Sequence, residues 1–346
     1  MTLPARVRRV VEELELDLRG RVVLTEAATG PYVVTPVIAA LAGAEVHAYT
    51  KAATRYGTVA EVSRQTLALA RQLGVDQHRL NILDSLDEAT IRRADVITNS
   101  GHLRPLQRSW LRHARSDTVI ALMFEAWEVR PGDMDLAYLQ SRGIRVVATN
   151  ERHPDVGVFS YLGELAVRQI HLAGLSLTRN RFVLYCNNPF GPYLAATLSA
   201  VCGELIVIDE VGAREAYADT KISWYGDCAD FRAQLPRDDI DGIVLAAYPF
   251  DREWVGAGGI VGADWLARNL PGAALLRFAG HVDEAALRRH QIPHFPEHVP
   301  AGHMGSLLSE LGPDPVIRLQ AGSFKAAEVA LAGGTHFRGQ PIVEWL

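Results

Sequence analysis

The chain has 346 residues, 48% hydrophobic and 22% charged, with a formal net charge of -5. That composition belongs to a globular protein with room for two cores, since one core seldom grows past roughly 250–300 residues. The acidic balance and the scattered arginines exclude a nucleic-acid or anionic-membrane surface, and no window reaches the ~18 apolar residues of a membrane span. Cys186, Cys202 and Cys228 show no CxxC spacing, which leaves neither a disulfide framework nor a zinc–thiolate site. The N-terminal segment has no uninterrupted apolar core of the kind a signal peptide needs. The expected compartment is the cytoplasm.

In chain order, Val7, Val10, Val11 and Leu14 fall at helical spacing and predict an amphipathic helix. Short apolar runs predict strands over 21–25, 45–49, 95–98, 118–123, 144–148, 182–186, 204–209, 242–246 and 273–277. Helical patterns lie between and after them, over 59–73, 133–141, 156–173 and 314–331. This alternation means parallel sheets covered on both faces. The apolar pattern breaks at "HLAGLSLTRNR", near 170–181. The expected fold is therefore α/β, with two Rossmann-like parallel-sheet domains facing across a cleft. The first, over 1–175, is Rossmann-like or flavodoxin-like and serves the substrate; the second, over 176–313, serves the nucleotide. The tail, 314–346, is free to pack back on the first.

One plan occurs twice. A Gly-Pro-Tyr triplet stands at 30–32 and again at 191–193, each time after an apolar run. Small and apolar residues follow each triplet, then a glycine (Gly43, Gly203) and another apolar run. In a dinucleotide-binding G-x-G-x-x-G loop the first glycine makes the turn and the second admits the pyrophosphate. The third lets helix pack on strand. In "YCNNPFGPYL" those positions are Cys186, Asn188 and Gly191, with Pro192 next. Only the third glycine stands, and Asp209 holds the place of the ribose-binding carboxylate. Asn188 suits a turn with positive φ better than most residues. In the first copy Ala28 and Thr29 precede Gly30, and the second strand ends "AYTK" without an acid, which also counts against a methyltransferase. Lys51 and Arg55 there face solvent, a substrate anion or, with a dinucleotide, a 2′-phosphate. The second copy is expected to bind and the first to be scaffold.

Four segments then carry a resemblance: "ADVITNSGHLRPLQRSWLRHARSDTVIALMFEAWEVRPGDMDLAYLQSRGIRVVATN", "VGVFSYLGELAVRQI", "DGIVLAAYPFDREW" and "NLPGAALLRFAGHVDEAAL". In this order they resemble the D-isomer-specific 2-hydroxyacid dehydrogenases, with Glu164 standing where the linking helix of that family carries a glutamate. The resemblance implies NAD or NADP held by Asn188, Gly191, Pro192, Asp209 and Pro249, a small 2-oxo or 2-hydroxy substrate, and a homodimer. It also implies an arginine for the substrate carboxylate and a histidine acid/base oriented by a glutamate, chemistry that suits an imidazole near neutrality. The family's arginine position falls on Phe278, so Arg277, one residue away, is the candidate. His303 in "GHMGSLLSELG" is the acid/base candidate, ahead of His298, with Glu297 as orienter.

Asn99 and Ser100 end a parallel strand, where α/β proteins collect ligands, or else cap the next helix. Glu125, Trp127 and Glu128 lie in the loop that faces substrate in the family. Two carboxylates would repel an anion, so they face solvent or a ligand carrying an amine or another donor. His281, His290, His294, His298 and His303 are close in sequence, but Pro293 and Pro296 break any helix that would align them, and no metal is expected. The glycine-rich 253–265 lacks the Lys-Ser/Thr of a triphosphate loop and reads as a flexible connection. The rival function is a divergent non-redox member of the same fold. It would bind a small molecule or catalyse a lyase or condensation step, an idea supported by the two missing glycines and the displaced arginine.

Overall fold

Aliphatic runs too short for helices become strands buried on both faces, as covered parallel sheets require. In the computed structural model, which describes residues 1–51, 57–235 and 239–346, they fall into two units. One is Met1–Val158 with Gly312–Leu346 and the other is Phe159–Leu311.

The first unit holds β1 (Val22–Glu26), β2 (Glu45–Tyr49), β3 (Leu80–Leu83), β4 (Val96–Asn99), β5 (Val119–Leu122) and β6 (Arg145–Thr149). Its sheet order is β3-β2-β1-β4-β5-β6, all parallel. The helices α1 (Leu3–Glu13), α2 (Val34–Leu41) and α3 (Val59–Gln72) belong to this unit. The second unit repeats the order with β7 (Arg181–Cys186), β8 (Glu204–Asp209), β9 (Trp224–Asp227), β10 (Gly242–Ala246), β11 (Ala274–Ala279) and β12 (His294–Phe295). These run β9-β8-β7-β10-β11-β12, again parallel. Each unit is thus a doubly wound Rossmann-like sheet whose strand order reverses between its first and fourth strands.

The expected break near 170–181 moves forward. The helix α4 (Leu162–Leu172) packs on α5 (Gly191–Val201) and on β11, so it belongs to the second unit. Its Gln169 is buried and its amide donates to the Arg277 carbonyl at 2.9 Å. The tail forms α6 (Pro313–Leu331) and a final strand, β13 (Val343–Trp345), antiparallel to β6. Most of α6 is buried in the first unit, against α1, α2, β5 and β6. Its buried polar residues are satisfied there: Gln320 accepts from Thr35, Ser323 from Thr149, and the Lys325 ammonium reaches the Glu15 carbonyl and Glu328. That satisfaction is what allows polar groups inside a core helix.

The strands β3, β9 and β12 have no counterpart among the expected ones. All three lie at sheet ends, where one side of the ladder is open and a long apolar run is not needed. The glycine-rich stretch is a folded turn rather than a loose connection. Glu253–Val255 pairs with His281–Val282, and buried Trp254 lies so close to Gly259 that a Cβ there would meet its carbonyl.

The two glycines that close the repeated plan do different work. Gly43 has a φ of +97°, in the left-handed region. Gly203 does not, but a Cβ on it would lie 2.6 Å from the Arg179 carbonyl carbon and 2.7 Å from its Cα. Backbone cannot swing aside as a side chain can. Gly203→Ala should therefore destabilise the protein by about 1–3 kcal/mol, read as a lowered denaturant midpoint at unchanged slope.

Candidate functional site

A doubly wound sheet opens a crevice where its strand order reverses, at the carboxyl ends of the first and fourth strands. In the second unit this is the end of β7 beside the end of β10. Asn188 does not take the positive φ expected of it. Its amide nitrogen donates to the Ala246 carbonyl at 2.7 Å, and its oxygen accepts from the Phe190 N–H at 3.0 Å. The neighbouring Asn187 pairs twice with the Tyr248 backbone, at 2.7 and 2.8 Å. The two asparagines therefore tie β7 to β10. Pro249 follows Tyr248, its carbonyl accepting from the Trp254 indole at 3.0 Å. Gly191 opens α5, with Pro192 in the first turn, where a missing N–H costs nothing.

Asp209, at the end of β8, is 1% exposed. It accepts from the Tyr217 hydroxyl and, at 2.7 Å, from the Glu210 N–H. Burial pushes its carboxyl above the ordinary range, and these two donors pull it part of the way back. A Cβ on Gly191 would overlap the Tyr217 oxygen and lie 2.8 Å from Asp209 Oδ2. Glycine, acid and phenol are thus in mutual contact, with the phenol against the helix start.

Arg277 is in the interior of the second unit, 1% exposed. Its guanidinium donates to the carbonyls of Gly280 at 2.6 Å and Val299 at 2.8 Å, with Glu284 at 3.4 Å. Glu284 also accepts from the Val299 N–H and pairs with His298 Nδ1 at 3.0 Å. Burial raises its carboxyl, and the bonds from His298 and Val299 outweigh that, so the net shift is downward. His303 is exposed and its Nδ1 meets the Ala301 carbonyl at 3.1 Å. Glu297 is exposed, and no bond joins it to His303 among the described residues. The histidine joined to a carboxylate is His298.

In the first unit the reversal lies between β1 and β4. Leu24 pairs with Ile97, and the Thr25 and Thr98 hydroxyls bond at 2.8 Å on the other face. One step on, Glu26 and Asn99 share the Leu24 face. Ser100 extends the hydroxyl chain, 2.8 Å from Thr98. Glu26 is 4% exposed and Asn99 1%. Among the described residues neither atom of the Asn99 amide has a hydrogen-bond partner. No bond or ion pair reaches the Glu26 carboxyl among the described residues, and burial alone pushes it up to about 7. The carboxyl lies directly over Gly101, which has a φ of +43° and where a Cβ would overlap Oε2. Beside it is His102, held below its ordinary range by burial and by the Lys51 charge. Lys51 is exposed, and Arg55 lies outside the described residues.

Glu125 does not face solvent. It is fully buried, accepting from Glu151 N–H at 3.1 Å, Arg152 Nε at 2.9 Å and Trp127 Nε1 at 2.7 Å. Glu128 behind it is pushed up to about 7 by burial. Among the described residues no group of three or more His, Cys, Asp or Glu is placed to hold a metal ion, and no helix is long and apolar enough to cross a membrane.

No family model and no curated protein matches the chain. Solved structures do. The dipicolinate synthase A chain of Bacillus subtilis is 12% identical, with a TM-score of 0.60 over 92% of this chain and 99% of that one. D-Lactate dehydrogenase with NAD+ from Lactobacillus jensenii is 14% identical, with a TM-score of 0.56 over 93% and 99%. NAD-dependent formate dehydrogenase from Staphylococcus aureus, in complex with NAD, is 14% identical, with a TM-score of 0.52 over 94% and 99%. The chain has the D-2-hydroxyacid dehydrogenase fold. Within that fold, sequence reasoning passed over Asn187, Tyr217, Glu284 and Glu26. Asn187 and Tyr217 carry no motif. Glu284 was legible as the acid of "HVDEAAL", and Glu26 as the one charge ending an apolar strand, "VVLTE".

Burial pushes the Glu26 carboxyl from an ordinary 4.5 up to about 7 in the folded protein. The folded state therefore holds this proton more tightly, and the stability it contributes is complete below pH 4.5 and lost as pH rises to 7. Glutamine cannot ionise. Between pH 4 and pH 8 the stability of Glu26→Gln relative to the parent should rise by on the order of 3 kcal/mol, measured by urea unfolding at both pH values.

Proposed function

We propose that the protein is an NAD-dependent oxidoreductase acting on a small 2-oxo or 2-hydroxy compound, with the nucleotide in the second unit. The supporting observation is the contact of Gly191, at the start of α5, with Asp209, at the end of β8. That is the layout in which a helix N-terminus receives a pyrophosphate and an acid receives the ribose hydroxyls. Gly191, Pro192 and Asp209 would hold the nucleotide, with Asn188 and Pro249 bordering it, and the nicotinamide would supply the hydride. The acid would repel a 2′-phosphate, so NAD is preferred to NADP. The Tyr217 hydroxyl occupies the acid and must yield to the ribose. By resemblance alone the reading extends to a cytoplasmic homodimer.

The chain's own part is to bind the substrate and to hold a proton. His298, oriented by Glu284, is the better-supported acid/base, with His303 and its neighbour Glu297 as the rival pair. Arg277 shapes the loop that carries both histidines by binding its carbonyls, and as folded its charge is spent there rather than on a substrate carboxylate. Asn99 and Ser100 remain the proposed substrate contacts. A second reading, non-redox binding or a lyase or condensation step, is favoured by one observation: the two asparagines are bonded to backbone across the crevice and Tyr217 to Asp209.

Titration of the purified protein with NADH and NADPH separates the two. The first reading expects saturable NADH binding, weakened at least tenfold by Asp209→Ala and tightened by Tyr217→Phe; no binding of either nucleotide to a folded sample overturns it and favours the second. Where turnover of a 2-oxo acid is found, His298→Asn should reduce kcat by on the order of 100-fold or more with NADH binding nearly unchanged. An equal loss in His303→Asn instead would move the role to His303.

A further inference from the structure

The repeated plan ends in two unlike crevices. In the second unit the side chains at the reversal are bonded to backbone across it. In the first, Glu26 and Asn99 end neighbouring strands on one face, both more than nine-tenths buried, and among the described residues neither the carboxyl nor the amide has a hydrogen-bond partner. Buried polar groups are almost always bonded, and both polar atoms of the Asn99 amide are sealed from solvent as well as unbonded among the described residues. Gly101 fits beneath the carboxyl only because it lacks a Cβ.

We propose that the crevice at the ends of β1 and β4 binds an amine-bearing small molecule, its nitrogen held between the Glu26 carboxylate and the Asn99 amide oxygen. An ammonium group supplies the positive charge that Glu26 lacks and the donors that both oxygens need. A carboxylate or phosphate would set like charges together. The titratable and charged groups nearby leave the amine that role. Tyr49, opposite Glu26 in β2, packs edge-on against Trp110. His47, on the same face of β2, pairs with Glu45. His102 is held below its ordinary 6.5, toward the neutral form, and Lys51 is exposed. Lys51, exposed and near enough for its charge to act on His102, suits an acidic group elsewhere on the same ligand, so a small amino acid fits the site better than a simple amine. The proposal takes up the Asn99 named above as a substrate contact and narrows that substrate to one carrying an amine; it does not depend on nucleotide binding in the second unit.

The test is calorimetry of the full chain with ethylamine, glycine and L-alanine, against ethanol, acetate and propionate as counterparts without nitrogen. At pH 8 at least one amine should bind saturably and its counterpart at least tenfold more weakly. With the free carboxyl titrating near 7, affinity should fall about tenfold at pH 6, and binding should release a proton into the buffer. Glu26→Gln should remove both the binding and the pH slope, and Asn99→Ser should weaken binding. Carbon-13 NMR of the parent's Glu26 carboxyl reads the same step without a variant, its midpoint moving down when the amine is added. No saturable amine binding at pH 8, equal binding of the counterparts, or binding unchanged in a folded Glu26→Gln protein would each overturn the proposal. NADH titration of the same samples reports separately on the second unit.

Discussion

Everything functional in this chain depends on the reversal of strand order at the centre of each sheet. Helices leave the first and fourth strands toward opposite faces, so nothing covers the ends of these strands from the main chain itself. Side chains must fill the gap or a ligand must. The two units, alike in order and in the Gly-Pro-Tyr that follows their first strand, solve this in opposite ways. One bonds asparagine amides to carbonyls across the gap. The other leaves a carboxyl and an amide on one face of its strands, unbonded among the described residues.

The second unit shows how a nucleotide layout can persist while its contacts are reassigned. Gly191 still lies against Asp209, and the reason it must be glycine is the Tyr217 hydroxyl as much as any phosphate. Arg277 has moved in the same direction: its donors bind the loop at Val299 and Gly280 rather than an exposed anion. A buried guanidinium needs such acceptors, since it cannot shed its proton to escape burial. The loop it holds carries His298 onto Glu284, the histidine–carboxylate contact of this unit's candidate set.

Three carboxylates, Glu26, Glu125 and Glu151, are among the buried polar residues at the strand ends of the first unit. Glu125 is satisfied by three donors, whereas Glu26 has none and Glu128 is raised by burial. The difference decides their meaning. A carboxylate with three donors holds a loop in place, and one without a donor holds a proton or awaits a cation.

The residues by themselves determined the α/β class, the repetition and most central strands, because strands buried on both faces must be apolar throughout and helices between them must keep a period. The strands β3, β9 and β12 escaped because a sheet end needs no such run. The candidate site was legible in part: the place of Gly191, Asp209, Asn99 and Arg277 follows from motif and strand end. What each one touches does not, since hydrogen bonds between residues far apart in sequence have no signature in either segment. Only the tertiary structure decided that Asn188 bridges two strands, that Tyr217 covers Asp209, that Arg277 faces inward and that Glu26 and Asn99 share a face. Register across β1 and β4 brings that last pair together, and register is a property of the sheet, not of either strand.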